Sequence, residues 1–424
     1  MTLPRILLFL TIIFSLIPML TMYTAVYAAE PTVKDTNLKV ETFVQGLSSP
    51  TSMAFLDDNN ILVLQKDNGR VLLISNGTLQ KNPVLQVSVD STSERGLLGI
   101  TVLKHNNDTA VAQNASVRGE DKAKIRDTVF LYYTESLGGG SLRNRVYSYE
   151  WDGNSLVAPK LILDLPALPG PNHDAGKLSI GPDGNLYAII GELRHNGKLQ
   201  NIEGGPAPDD TGVILRVNPS NGQGMPGGPF EKAGAQNSLY RYYAYGIRNS
   251  FGMSFDPVTS KLWETENGPS AFDEINVIKP GFNGGWKKVF GPIARSDVTQ
   301  SDLVLFPGST YYDPVLSWKD PPALTGIEFF NSSKLGAEYR NNLFVGDYNN
   351  GNLYFFKLNS TRTGLELNGL NGLTDLVVDN PKELSEITFG TGFGGITDIK
   401  TGPDGFLYLV SISDGIIYRV SPVI

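Results

Sequence analysis

The chain has 424 residues, 41% of them hydrophobic, enough to bury one large core or two smaller ones. Its 35 basic and 43 acidic residues leave a net charge of −8 with no basic block, which argues against a nucleic-acid partner. With no cysteine and only three histidines (His105, His173 and His195), disulfides, thiolate nucleophiles, cysteine-ligated metals and multi-histidine metal sites are ruled out or disfavoured.

At the N-terminus, Arg5 precedes an apolar run from Ile6 to Leu20, and small residues follow up to Ala28 and Ala29. This is the pattern of a secretory signal, so residues 1–28 are expected to be removed. Left uncleaved, Ile6 to Tyr27 is nearly long enough to anchor the chain in a membrane, which would be its one membrane contact. The expected location is secreted, extracytoplasmic or at the cell surface. Sequons at Asn76, Asn107, Asn114, Asn331 and Asn359 agree with export.

Beyond the N-terminus, short apolar runs alternate with turn residues, and long helical periodicity is absent. Glycine and proline, 46 and 26 in number, suit an all-β chain with many tight connections. One phrase recurs: an apolar triplet, an Asp/Gly turn, then a second apolar strand. It begins near residues 53, 98, 178, 253, 327 and 396. Clear copies are Leu178-Ser179-Ile180, turn, Leu186-Tyr187-Ala188, and the final Gly402-Pro403-Asp404-Gly405 followed by Leu407-Tyr408-Leu409. The repeat predicts a six-bladed β-propeller of four-stranded antiparallel sheets over residues 38–424, because each blade must bury both faces against neighbours. The Asp-Gly turns have a structural reading, since Asp accepts local backbone bonds and Gly takes positive φ. The polar stretch from Asn106 to Arg126 reads as a surface insertion.

Four segments carry candidate chemistry, each placed before or beside the first strand of a repeat. Glu94-Arg95-Gly96-Leu97-Leu98-Gly99 comes first. Gly170 to Leu178 holds His173 at a blade top, where histidine can act as a general base near neutral pH, although a lone histidine is more often structural. Tyr245 to Ser250 holds Arg248, able to polarise an oxygen, hold an anion or form a plain ion pair. Glu264 to Asn276 brings Glu266, Asp273 and Glu274 near Gly268 and Pro269, a mixture of carboxylates and backbone carbonyls suited to a hard cation such as Ca²⁺.

Together and in this order, the segments resemble the soluble glucose/sorbosone dehydrogenases that use pyrroloquinoline quinone, also called aldose sugar dehydrogenases. The most specific pieces are His173 to Tyr187, Gly246 to Pro257, and Glu266 to Trp286 with its Asp-Glu-Ile-Asn and Pro-Gly-Phe-Asn-Gly-Gly-Trp. The resemblance runs from about Leu38 to Val420 and implies a six-bladed propeller. It implies that His173 takes the proton from the C1 hydroxyl of an aldose while hydride passes to the quinone. Arg248 and Asn249 would face the quinone, and the Gly268 and Pro269 carbonyls would hold its Ca²⁺, a Lewis acid. Glu266, Asp273 and Glu274 would hold structural calcium. The partners implied are a small sugar or aldehyde and an external electron acceptor.

The chain departs from that pattern in the anchoring half of the site. Glu94 stands where the family has glutamine, Asn349 where it often has lysine, and Gly395 and Thr397 where it has two arginines. Three charge-assisted bonds lost would cost about 4–9 kcal/mol. Arg95, Lys287 and Lys288 are the nearby cations in sequence that would have to compensate. Two other readings therefore stand beside the dehydrogenase: a non-catalytic extracellular propeller that binds a glycan or protein, and a calcium-dependent hydrolase or lactonase.

Overall fold

Strands in the middle of the repeats are apolar on both faces. Asn60–Gln65, Leu186–Ile190 and Leu407–Ser411 are buried almost throughout, so each needs a partner layer on either side. Outer strands such as Leu38–Gln45 mix two buried residues, Leu38 and Val44, with part-buried and exposed ones, as expected for a sheet edge facing water. The computed structural model, which describes residues 30–105, 126–370 and 372–423, satisfies both demands with a β-propeller arrangement. The signal segment, Asn107, Asn114 and all of the polar insertion except Arg126 lie outside the described residues.

The strands fall into six sheets. Their innermost strands are Pro50–Phe55, Leu97–Leu103, Ala175–Ile180, Ser250–Phe255, Leu324–Phe330 and Ile396–Thr401. Each touches the next, and the last touches the first, so they form a closed circle. Closure is made by the two ends of the chain: Leu38–Gln45 pairs antiparallel with Ile416–Pro422 and completes the sheet that starts at Ile396. Apolar side chains fill the gaps between sheets. Phe130 and Tyr132 pack with Leu186 and Ala188 in one gap, and Met53 and Val63 with Tyr408 and Val410 in another.

The expectation of uniform four-stranded antiparallel sheets needs correction. Two sheets have four strands; the others have five or six. The additions are short and several are parallel: Phe282–Asn283 on Tyr242–Tyr245, Thr310–Tyr311 on Phe282–Asn283, and Val377–Val378 on Leu316–Trp318. They come from long connections that fold back over the sheet edges and cover them. Among the described residues there is one α-helix, Pro381–Ile387, capped by the Asn380 side chain accepting from the Lys382 and Glu383 amides. The Asp turns are structural, as read: Asp183 accepts from Asn185 and Tyr187, and Asp404 from Phe406 and Tyr408. Among the described residues no helix is long and apolar enough to cross a membrane.

One irregularity repeats in every sheet. The register between the innermost strand and its neighbour shifts at the strand's start, at Pro50/Met53, Leu97/Gly99, Ala175/Leu178, Ser250/Gly252, Leu324/Ile327 and Ile396/Asp398. A β-bulge re-aims the residue it contains. Here Ser52, Leu98, Lys177, Phe251, Thr325 and Thr397, one from each sheet, line a common central cavity. Glycine allows the tightest seam, since a Cβ on Gly99 would stand 2.0 Å from the Gly176 carbonyl oxygen.

Candidate active site

The cavity has a volume of about 560 Å³. The six bulge residues form its floor; its walls come from loops before the innermost strands, such as Glu94, His173 and Arg248, and from segments after second strands, such as Lys66, Asn267 and Asn349. Of the residues singled out in the sequence, Glu94, His173, Arg248, Asn249, Gly268, Pro269, Asp273, Asn349 and Thr397 line it.

His173 sits two residues before Ala175–Ile180 with φ +65°, a left-handed conformation that costs a non-glycine residue energy and marks a held position. Gly191 makes room for it, because a Cβ there would lie 2.1 Å from the His173 carbonyl oxygen. The His173 amide donates to Glu94 Oε2 at 2.7 Å. Its ring is held at both nitrogens: Nδ1 pairs with the buried Glu192 carboxylate, and Nε2 lies 2.9 Å from Arg248 Nη2. A guanidinium only donates, so Nε2 accepts and the proton resides on Nδ1, facing Glu192. This tautomer leaves the lone pair on Nε2, beside a cation.

Arg248 is fixed from three sides. Its amide donates to Glu266 Oε1 at 2.6 Å, Nη1 donates to the Asn267 carbonyl at 2.7 Å, and the guanidinium lies 5.3 Å from the Trp286 ring centre. Burial pulls its pKa below the ordinary value, while Glu266, Glu192, Glu94 and Asp273 oppose that pull, so the group keeps its charge. Asn249 donates Nδ2 to Glu94 Oε2 at 2.9 Å, and its Oδ1 is buried without a partner. Glu94 also accepts from Asn172 Nδ2 at 3.3 Å. It thus ties three loop groups together instead of presenting free lone pairs to the cavity.

The acidic cluster does not assemble as expected. Glu266 and Glu274 are directly paired across adjacent strands, so they share one sheet face, and Asp273 takes the other. Asp273 lines the large cavity, whereas Glu266 and Glu274 line a small buried one behind Arg248. Their oxygens accept from the chain itself: Glu266 from the Arg248 and Asn249 amides, Asp273 from Gly268 and Leu324, Glu274 from Gly291 and Asn276. Among the described residues no three acidic, His or Cys side chains are placed to hold a metal. Burial raises the pKa of Asp273 to about 6 and of Glu274 to about 7, and also raises Glu266.

The compensating cations are not those suggested by sequence. Arg95 is buried, donating to the Ala167 carbonyl at 2.5 Å; Lys287 bonds Asn196 and Lys288 the Asp302 carbonyl, and none of the three lines the cavity. Lys66 and Lys177 line it instead. Asn349 and Thr397 are neutral and turned to backbone: Asn349 Nδ2 is 3.5 Å from the Pro321 carbonyl, and Thr397 Oγ1 donates to the Pro50 carbonyl at 3.1 Å.

Comparison with known proteins settles the relationship. The family model described as Glucose / Sorbosone dehydrogenase matches residues 47–419. The chain belongs to this family. Aldose sugar dehydrogenase YliI of Escherichia coli (strain K12) is 28% identical over 417 residues, covering 96% of this chain and 98% of that protein. Quinoprotein glucose dehydrogenase B of Acinetobacter calcoaceticus is 25% identical over 280 residues, 61% of this chain and 54% of that one. The pyrroloquinoline-quinone-bound aldose sugar dehydrogenase of Streptomyces coelicolor shares the fold, with a TM-score of 0.62 at 24% identity, covering 92% of this chain and 99% of that one.

For this glucose/sorbosone dehydrogenase-family chain, sequence reading missed Glu192, Lys66 and Lys177. Glu192 and Lys66 follow the ends of second strands, Leu186–Ile190 and Asn60–Gln65, which pair with the starts of innermost strands. Glu266 ends the second strand of its own sheet. The repeat phase therefore held a usable signal in part: Lys66, Asn267 and Asn349, just past three of the second strands, line the cavity.

Proposed function

We propose that the protein is a quinone-dependent dehydrogenase that oxidises an aldose at C1, and that each of its six sheets is one propeller blade within a single domain spanning residues 38–424. The observation that carries this reading is the ring of His173, with its lone pair on Nε2, Glu192 behind it and Arg248 beside it. The residues fit the cofactor: the cavity is roomy, Arg248 and Asn249 each keep a buried polar atom without a partner, and three cations reach the lining. Arg248 and Asn249 would hold the quinone end, with Glu94 fixing Asn249 and the His173 loop, and Thr397 and Asn349 beside the opposite end. The Gly268 and Pro269 carbonyls would hold Ca²⁺. When bound, pyrroloquinoline quinone with Ca²⁺ supplies the two-electron acceptor.

The protein's own part is to place and deprotonate the substrate. With the Arg248 Nη2 contact given up to the bound ligand, the Nε2 lone pair is free to take the C1 hydroxyl proton, and Glu192, already bonded to Nδ1–H, stabilises the imidazolium that forms. Arg248 holds positive charge where oxygen becomes negative. The product is the lactone, and the electrons leave to an external acceptor. The N-terminal segment supports export, with residues 1–28 removed or kept as an anchor.

The test is dye reduction by the protein loaded with pyrroloquinoline quinone and Ca²⁺, across a panel of aldoses. His173→Ala is expected to lower the rate about 10²–10⁴-fold. Absence of dye reduction by the loaded wild-type protein with every aldose would favour a binding propeller without catalysis.

A further inference from the structure

Of the six floor residues, Lys177 alone is charged, and that charge is already met. Its Nζ lies 2.5 Å from Asp398 Oδ1, with both side chains buried. Arg248 lies at the His173 end, bonded to His173 and Asn267, where the function proposed above assigns it to the quinone oxygens. The remaining cation of the lining is Lys66, which reaches the cavity from the sheet that begins at Pro50.

Lys66 is held as a built feature. Its amide donates to the Ser49 carbonyl at 2.9 Å, and its carbonyl accepts from the Leu97 amide at 3.1 Å. Its stem runs across Gly96, where a Cβ would stand 2.6 Å from Lys66 Cγ. Nζ donates to Asp67 Oδ1 at 2.9 Å and to the Ser91 carbonyl at 3.2 Å. An ammonium has three N–H groups, so one remains for a ligand. The side chain is 15% exposed, whereas Asp67 is 49% exposed, so solvent screens the competing carboxylate.

Its position is as telling as its charge. Pro50 pairs with Gln65 and accepts from Thr397, which sets Lys66 beside the wall where Thr397 and Asn349 offer no charge. In the circle of innermost strands its sheet lies opposite the Ser250–Phe255 sheet that carries Arg248.

We infer that Lys66 meets the anionic end of the molecule bound in this cavity, as the contact for a carboxylate of the quinone cofactor at the end remote from Arg248. This rests on the function proposed above. It makes Lys66 a ligand-binding residue that replaces, from a different strand, cations absent at Asn349 and Thr397.

The test is calorimetric titration of pyrroloquinoline quinone, at saturating Ca²⁺, into wild type, Lys66→Gln, Lys66→Arg and Asp67→Asn, with melting temperatures recorded for each. Lys66→Gln is expected to bind about 10- to 100-fold more weakly, with a shallower salt dependence. Lys66→Arg should stay within a few-fold of wild type. Asp67→Asn, which keeps the lysine and removes its competing carboxylate, should bind as tightly or more tightly. Equal affinity in Lys66→Gln and wild type, or weaker binding in Asp67→Asn, overturns the role of Lys66 and leaves the dehydrogenase reading standing. No binding by wild type overturns both.

Discussion

On the wall made by the Ala175–Ile180 and Ser250–Phe255 sheets, most polar groups have a partner. His173 is bonded at its amide and both ring nitrogens, and Arg248 at its amide and two of its side-chain nitrogens. On the opposite wall, Thr397 and Asn349 spend their side chains on carbonyl groups and present no charge. Both walls use the same device, a bulged innermost strand and the loop before it. The difference teaches that the scaffold sets where side chains point, and that composition at those points sets what each wall does. On the proposed function, one wall is preorganised for proton transfer, and the other leaves anion binding to a residue from a neighbouring strand.

Substitutions that break the paired wall should have the largest effects. Glu192→Gln keeps the shape but removes the carboxylate that faces Nδ1–H, and is expected to lower the steady-state rate about 10- to 100-fold with quinone affinity unchanged. An unchanged rate would mean that the carboxylate does not support the base.

Gly99→Ala acts behind the same wall. Its Cβ would collide with the Gly176 carbonyl in the seam that carries the His173 loop, and the expected loss is about 3 kcal/mol in denaturant unfolding. Wild-type stability in this variant would show that the seam yields.

Asp174→Asn is the subtlest. Burial raises the Asp174 pKa from 3.8 to about 6, and one of its oxygens has no partner. Between those values the folded chain keeps a proton that the unfolded chain releases, so stability falls as pH rises from about 4 to about 6. The asparagine removes that penalty, and Asn144 still finds an acceptor. The variant should gain about 2 kcal/mol on wild type at pH 7.5 and much less at pH 4.5. Equal gains at both pH values would contradict the assignment.

The sequence made the repeat, the innermost strands and the His173 and Arg248 segments legible, because these lie at a fixed phase just before each repeated apolar triplet. Lys177 was hidden because a bulge, not simple alternation, turns it into the cavity. Lys66 and Glu192 were hidden because strand pairing brings them from elsewhere in the chain. The division of the acidic cluster was hidden for the converse reason: Asp273 and Glu274 are adjacent in sequence and therefore face opposite sides of their strand. The parallel additions rest on strands of only two residues, such as Phe282–Asn283, too short to leave a periodic pattern.

The most direct measurement is a crystal structure of the protein grown with pyrroloquinoline quinone and Ca²⁺. The account predicts the quinone oxygens beside His173 Nε2 and Arg248, the metal on the Gly268 and Pro269 carbonyls, and a carboxylate within hydrogen-bond reach of Lys66 Nζ. A quinone bound in the reverse orientation, or bound outside this cavity, would contradict it.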